Sequence, residues 1–373
     1  MIRLKNYSRL VLLRNKGAAG WAHAHLDQFQ AAAERAQLSV STLWSHMIRP
    51  DAKVRILPDA LYVDLNATTL PFAVNRLSMM LDHPCFHLRT LQDKDPQRHM
   101  LTWVDEGHLD DYRTLGFPFP AQFLAHAGPQ PEKNPRSMAD RDIDILFSGT
   151  LSSELVIEEL KQDNPGISDE ILGAVFAAAQ MIEREQCTPL SAIAAALPGG
   201  LDQLRNVSQE LCFSIVGTAI VIASTNRRLR ILTALSSLRL HICSNVLPAE
   251  LANASNVTFH GYVNDWPKLN KLISRAKIVL NMNAKFPRGS HERIWAAMAQ
   301  GACVLTDQSS YVARDFQDRH AILFLPPGDP TQEVVEEITN LVEAHGSLEA
   351  IASSAGDIYQ RHHTWSRRIE EIL

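Results

Sequence analysis

From Leu238 onward the chain alternates short apolar runs with helical stretches, a rhythm that fits a parallel sheet with helices on its faces. Leu238–Cys243, Val257–His260, Ala276–Met282, Ala302–Thr306 and Ala321–Leu325 read as strands. Pro267–Arg275 and Ser290–Gln300 read as helices. Pro267 falls in a first turn, where its missing N–H costs nothing, and Gly301 follows the second helix as a C-terminal stop. Upstream, Asp142–Thr150 alternates, turns apolar and ends in Ser-Gly-Thr. It reads as the first strand of this sheet, with Gly149 in the turn.

The first part of the chain opens in a similar way. An apolar run, Arg9–Leu13, is broken by Asn15–Gly20 and followed by an Ala-rich helical stretch from Trp21 to about Ala36. Strand, glycine turn and helix is the opening of a Rossmann-like unit. Two further runs, Asn75–Leu81 and His99–Val104, end in Asp82-His83-Pro84 and in Asp105-Glu-Gly-His108. Ligands of open α/β sheets bind outside the carboxyl ends of the strands, so Asp82, His83, Asp105 and His108 are candidates for acid–base work. Turn and helix-cap roles fit the same residues equally well.

Between Gly128 and Arg141 the prolines 129, 131 and 135 replace apolar periodicity, and a flexible linker is expected there. The expected architecture is α/β, with two facing Rossmann-like lobes over residues 1–128 and 142–373, a linker over 129–141, and a helical insert over about 151–236 in the second lobe. Within the insert, Ser168 caps a helix running to about Glu185, and Phe213–Ala223 is a buried element that helix and strand fit alike. Arg227, Arg228 and Arg230 read as a solvated helix face in preference to a phosphate clamp.

The bulk properties narrow the function classes. A chain of 373 residues with a net charge of -5 accommodates two domains and gives no sign of a general nucleic-acid binder. Its five cysteines include no CxxC pair, which points to reduced thiols in a cytoplasmic protein and away from a structural zinc site. Leu10–Leu13 is too short for a signal-peptide core. The longest near-apolar run, Phe213–Ala223, falls short of the roughly 20 residues of a transmembrane helix.

The stretch from Leu280 to Asp307 carries the chemistry. A strand ends near Met282, a loop brings Lys285, Arg288 and Gly289, Ser290 stands where an N-cap belongs, and the helix opens with His291, Glu292 and Arg293. Free N–H groups and the positive dipole end of a helix suit a phosphate, and the neighbouring cations suit a diphosphate leaving group. Glu292 either points into a cleft or complements the helix dipole. Tyr262 after Gly261, and Thr306, Asp307 and Tyr311 after the next strand, also stand at carboxyl ends. They line a donor pocket, or else they pack and turn.

From about Asp142 to the C-terminus the chain resembles the CgeB-like (spore-maturation-protein-like) glycosyltransferases of the GT-B superfamily. The resemblance rests on Asp144-Ile-Leu-Phe-Ser-Gly149, Phe259-His-Gly-Tyr262, His291-Glu-Arg293 with Ala297-Met-Ala-Gln-Gly301, and His363-Thr-Trp-Ser-Arg-Arg368. Asp82-His-Pro84, Asp105–His108 and His126-Ala-Gly128 look similar to the same family. The resemblance implies a bacterial, metal-independent enzyme with no cofactor, which moves a sugar from a nucleotide-sugar to an unknown acceptor. Its donor would lie against Gly149, Tyr262, Arg288, Ser290, His291, Glu292, Arg293, Thr306, Asp307 and Tyr311, and its base would come from the first lobe. It also implies that the last helix, containing Trp365, crosses back to that lobe. In relatives with an E-x7-E pattern the second glutamate contacts the ribose. Here those two positions are Arg288 and Ala296, so Glu292 is left to substitute, or the protein is a catalytically degenerate binding module.

Overall fold

The computed structural model describes residues 3–16, 18–45, 56–67, 74–91, 94–151, 156–184, 187–282 and 284–373. The first lobe holds strands β1 (Arg9–Arg14), β2 (Val40–Trp44), β3 (Ala60–Leu65), β4 (Arg76–Met80), β5 (His99–Trp103) and β6 (Ala121–Phe123), with helices α1 (Gly20–Arg35), α2 (Leu88–Leu91) and α3 (Glu106–Thr114). All strand pairs in it are parallel, in the order β2-β1-β3-β4-β5-β6. The second lobe begins with β7 (Ile143–Ser148) and continues through α4 (Val156–Asp163), α5 (Asp169–Arg184), α6 (Pro189–Ala196), α7 (Gly200–Asn206) and α8 (Gln209–Ala234). Then come β8 (Leu240–Cys243), β9 (Val257–Phe259), α9 (Trp266–Ile273), β10 (Ala276–Asn281), α10 (Glu292–Ala299), β11 (Cys303–Asp307), α11 (Ser310–Asp315) and β12 (Leu323–Leu325). Helices α12 (Gln332–Glu343), α13 (His345–His362) and α14 (Trp365–Ile372) close the chain. This second sheet is also parallel, in the order β12-β11-β10-β7-β8-β9.

Helices cover both faces of a parallel sheet, so its central strands read as continuous apolar runs. Every residue of β10 is buried, as are the first five of β7. The expected α/β architecture of two Rossmann-like sheets is what the chain forms. Strands β2, β3 and β6 were not legible in the sequence. No residue of β2 is buried, β3 carries the buried Asp64 inside its apolar run, and β6 spans three residues.

The insert differs from expectation in what it packs against. Trp103, Tyr112 and Phe119 of the first lobe share one core with Val175, Ile193 and Val216 of the insert. The far end of α8, with Ile231 and Leu232, enters the core of the second lobe. The run Phe213–Ala223 is therefore the middle of a helix that bridges both lobes, capped at its start by Ser208, whose Oγ accepts the Leu211 N–H at 3.1 Å. The Ser168 hydroxyl accepts the Ile171 N–H at 3.3 Å at the start of α5. Glu185, expected near that helix's end, lies outside the described residues.

The proline-rich connection expected to be a linker is hydrogen-bonded to the second lobe. The Glu132 N–H donates to the Ala299 carbonyl at 2.7 Å, and the Tyr359 hydroxyl donates to the Pro129 carbonyl. Arg141, buried at its end, donates to the carbonyls of Ala276, Gln300 and Gly301 at 2.8–3.0 Å. Prolines here follow a fixed path over α10 and α13, so the loss of periodicity marks irregular structure without marking mobility. Helix α14 crosses back as expected. Trp365 and Ile369 share a core with Leu26 and Phe29 of α1, and the Trp365 ring meets Phe29 edge-on at 5.4 Å.

Candidate active site

In the second sheet the chain runs outward from β7 through β8 to β9 in one direction, and from β10 through β11 to β12 in the other. The switch point between β7 and β10 leaves a crevice at their carboxyl ends, the preferred ligand position in such sheets. An open cleft of about 340 Å³ lies there, walled by both lobes and by α8.

Two arginines face one another across its floor. Arg293, in the first turn of α10, donates through Nη1 to the Asn281 side-chain carbonyl at 2.8 Å, and its guanidinium stands 6.0 Å from the centre of the Phe147 ring. Asn281 in turn donates to the Thr306 hydroxyl at 2.9 Å. Thr306 is thus buried one layer behind the cleft and orients the asparagine that holds Arg293. Arg228, from α8, donates to the Thr150 carbonyl at 2.5 Å, and its Nε has no partner among the described residues. Neither arginine has an ion-pair partner among the described residues. Burial lowers the Arg228 guanidinium to about 10, with Arg293 adding to the effect, and burial lowers Arg293 too; both stay charged at neutral pH. Gly149 and Thr150, following β7, complete this edge.

At the opening of α10 the N-cap is His291, not Ser290. The His291 Nδ1 accepts the Arg293 N–H at 3.3 Å and lies 3.0 Å from Glu292 Oε2. Ser290 is buried and accepts the Trp295 indole N–H at 3.3 Å. The helix therefore satisfies part of its own start, and the cations presented to the cleft are side chains. Glu292 lines the cleft beside His291. Burial raises its carboxyl, and His291, His126 and Arg293 together outweigh that and hold it well below the ordinary range. Ala296 lines the same wall one turn later, and Tyr262 stands 57% exposed at the rim.

From the first lobe, Asp82 enters the cleft after β4. Its Oδ1 is 2.7 Å from the Lys285 ammonium of the second lobe. Burial pushes the Asp82 carboxyl up, yet Lys285 prevails and holds it well below the usual carboxylate range.

The other first-lobe candidates do not reach the cleft. His83 is buried, with Nε2 2.9 Å from Asp111 Oδ2 and Nδ1 accepting the Cys85 N–H. Asp111 also accepts from the Thr188 hydroxyl and the Leu190 N–H, which ties the insert down. Asp105 is the N-cap of α3 and accepts the His108 N–H at 3.0 Å and, across the lobes, the Arg288 N–H at 2.8 Å. Burial raises its carboxyl to about 7 against the pull of these backbone donors. His108 is buried, and its Nε2 lies 2.7 Å from the Lys285 carbonyl; burial drives its pKa well below the ordinary value. These groups build the seam between the lobes, where a Cβ on Gly289 would stand 2.4 Å from the Val104 carbonyl.

Three donor candidates are likewise engaged elsewhere. Arg288 is ion-paired with Asp110 on the seam. Asp307 is paired with Arg227, which also donates to the Pro326 carbonyl at 2.7 Å. Tyr311 is buried and accepts from Arg368 at 3.0 Å. Arg228 is the functional candidate that sequence reasoning set aside. It stands seven residues after Val221 on one face of a helix whose other neighbours line the same cleft, and that periodicity was its signal.

Residues 227–373 match the glycosyl transferase-like family. No characterised protein matches the chain in sequence. An α-glucosyltransferase in complex with UDP-glucose and DNA containing an abasic site superposes with a TM-score of 0.52 at 9% identity, over 97% of this chain and 98% of that one. A sucrose-phosphate synthase from Thermosynechococcus elongatus gives a TM-score of 0.48 at 9% identity, over 98% and 97% of the two chains. TarM gives 0.44 at 10% identity over 84% of this chain and 54% of its own, so this chain spans about half the length of TarM. At such identities the likeness to the α-glucosyltransferase is one of fold: two facing Rossmann-like lobes of GT-B type. Among the described residues no helix is long and apolar enough to cross a membrane, and no group of three or more His, Cys, Asp and Glu is arranged to hold a metal ion.

Proposed function

We propose that the chain is a nucleotide-sugar-dependent glycosyltransferase whose donor diphosphate lies between Arg228 and Arg293. The observation that carries this reading is a pair of guanidinium groups without ion-pair partners among the described residues, at the β7/β10 switch point of the lobe that matches the glycosyl transferase-like family. Two fixed cations in a partly dry crevice stabilise the charge that builds on a leaving diphosphate. The acceptor hydroxyl attacks the anomeric carbon, the bond from that carbon to the phosphate oxygen breaks, and the nucleoside diphosphate departs. Asp82 takes the hydroxyl proton. A carboxylate paired with Lys285 is a weak base; as the donor's phosphates draw the ammonium away, its pKa rises toward a useful range. Glu292, kept ionised by His291, accepts hydroxyl hydrogens of the ribose or the sugar. It stands one turn from Ala296, the cleft-lining position where the family resemblance puts a glutamate. The triplet His291-Glu-Arg293 supports a CgeB-like assignment within that reading.

Saturation-transfer NMR with a panel of nucleotide-sugars tests binding, and release of nucleoside diphosphate from the bound donor tests catalysis. Binding with slow hydrolysis is the expected result. Binding of no nucleotide-sugar overturns the proposal, while tight binding without any turnover identifies a degenerate binding module.

A further inference from the structure

Helix α8 presents one continuous face to the cleft, Ile220, Val221, Ser224, Thr225 and Arg228, and the buried Gly217 precedes them in the same row. Their spacing of three and four residues puts them on one side of an α-helix. At about 1.5 Å per residue, Val221 lies about 10 Å and Gly217 about 16 Å from Arg228 along the axis. The face is graded. Its far end is charged, its middle carries two hydroxyls, and its near end is apolar. There the Phe86 ring lies against Gly217, with its Cε1 3.2 Å from where a Cβ would be. A Cβ at 217 would make the ring give by a few tenths of an ångström, so the glycine lets it sit close to the helix. Phe86 nevertheless stays 45% exposed, facing the cleft. A large apolar ring left to water beside Ile220 and Val221 has no fold-stabilising role on that side.

Resting on the glycosyltransferase reading above, we propose that this shelf of Phe86, Ile220 and Val221 selects an acceptor with an apolar segment, an alkyl or aryl group next to the hydroxyl that is glycosylated. With the diphosphate at Arg228 and Arg293, the transferred sugar lies alongside Ser224 and Thr225. In a transfer that inverts the anomeric carbon, the acceptor oxygen meets that carbon on the side away from the phosphate, on the side of the cleft lined by Asp82, four residues before Phe86. The remainder of the acceptor then lies over the shelf. The transfer balances as before: the acceptor loses a proton to Asp82, gains the sugar, and the nucleoside diphosphate leaves. A nucleobase has its own place at the opposite rim, beside the exposed Tyr262.

The test compares n-octyl β-glucoside with methyl β-glucoside as probes, each titrated into wild-type protein and into Phe86→Ala and Val221→Ser, both partly exposed positions. UDP is titrated separately into the same three proteins. Wild type is expected to bind the octyl probe at least about tenfold more tightly than the methyl probe. Each variant is expected to lose most of that preference while its UDP affinity stays unchanged. Equal binding of the two probes by wild type overturns the proposal. So does loss of UDP affinity in the variants, which would make the shelf the nucleobase site. An octyl preference without any UDP binding sinks the donor reading and leaves the shelf standing.

Discussion

Both sheets are parallel, and the chemistry at their carboxyl ends is opposite. After β7 and β10, charged side chains reach the cleft without ion partners: Arg228 is held by a backbone carbonyl and Arg293 by an amide. After β4 and β5, by contrast, His83, Asp105 and His108 are buried and spend their polar atoms on Asp111, on two backbone N–H groups and on the Lys285 carbonyl. Of the four candidates on that side, Asp82 alone lines the cleft, paired with a lysine from the opposite lobe. Position at a strand end thus decides where a group can stand. Whether it is available for chemistry is decided by what its neighbours already bond.

If Asp82 alone of the first-lobe acids and histidines does chemistry, Asp82→Ala lowers turnover by about 10²- to 10⁴-fold. His83→Gln, Asp105→Asn and His108→Gln spare the chemical step. Single-turnover kinetics on the four variants checks this, and equal losses in all four would erase the distinction between the two ends of the seam.

The seam residues act on stability instead. Asp105→Ala removes an N-cap and strands the Arg288 N–H at the lobe junction, so it costs about 1–3 kcal/mol in urea unfolding. Limited proteolysis of that variant cleaves faster near residues 284–289. A variant as stable as wild type would place Asp105 back among the catalytic candidates.

A smaller effect comes from pH. Burial lowers His25 to about 4, and His126 and His363 to about 3, chiefly through lost hydration. Between those values and the ordinary 6.5 the unfolded chain binds more protons than the folded one, so stability falls as pH drops below about 6.5. Asp105, raised to about 7, and Asp64, raised by burial, act in the opposite sense, but His87, lowered to about 4, and His99, lowered to about 3, add to the three histidines above. The melting temperature is expected to be lower at pH 5 than at pH 7.5, and His126→Gln flattens that dependence. A melting temperature that rises toward pH 5 would contradict the buried, neutral histidines.

The second sheet was legible because its central strands β7, β10 and β11 are buried and its helices have recognisable ends, as at Pro267 and Gly301. The first sheet was half legible, since β2 exposes its side chains and β6 is only three residues long. In the site, Gly149, Tyr262, His291, Glu292, Arg293 and Asp82 line the cleft, while Arg288, Ser290, Asp307 and Tyr311 do not. The sequence placed Arg288 on the right loop. It carried no sign that Asp110, 178 residues earlier, takes its guanidinium. Arg227 and Arg228 looked alike in a basic run, yet adjacent helical residues point about 100° apart. One is locked to Asp307 and the other faces the cleft.

That contrast gives the most direct test of the donor site. UDP affinity is measured by calorimetry for wild type, Arg228→Ala, Arg293→Ala and Arg288→Ala, with uridine as the uncharged control and circular dichroism to verify folding. A charge-assisted hydrogen bond is worth roughly 1.5–3 kcal/mol, so Arg228→Ala and Arg293→Ala should each weaken UDP by about 10- to 150-fold and leave uridine unchanged, while Arg288→Ala leaves both unchanged. UDP binding that survives loss of Arg228 and Arg293 but fails with Arg288→Ala would contradict the account and move the phosphates to the loop before α10.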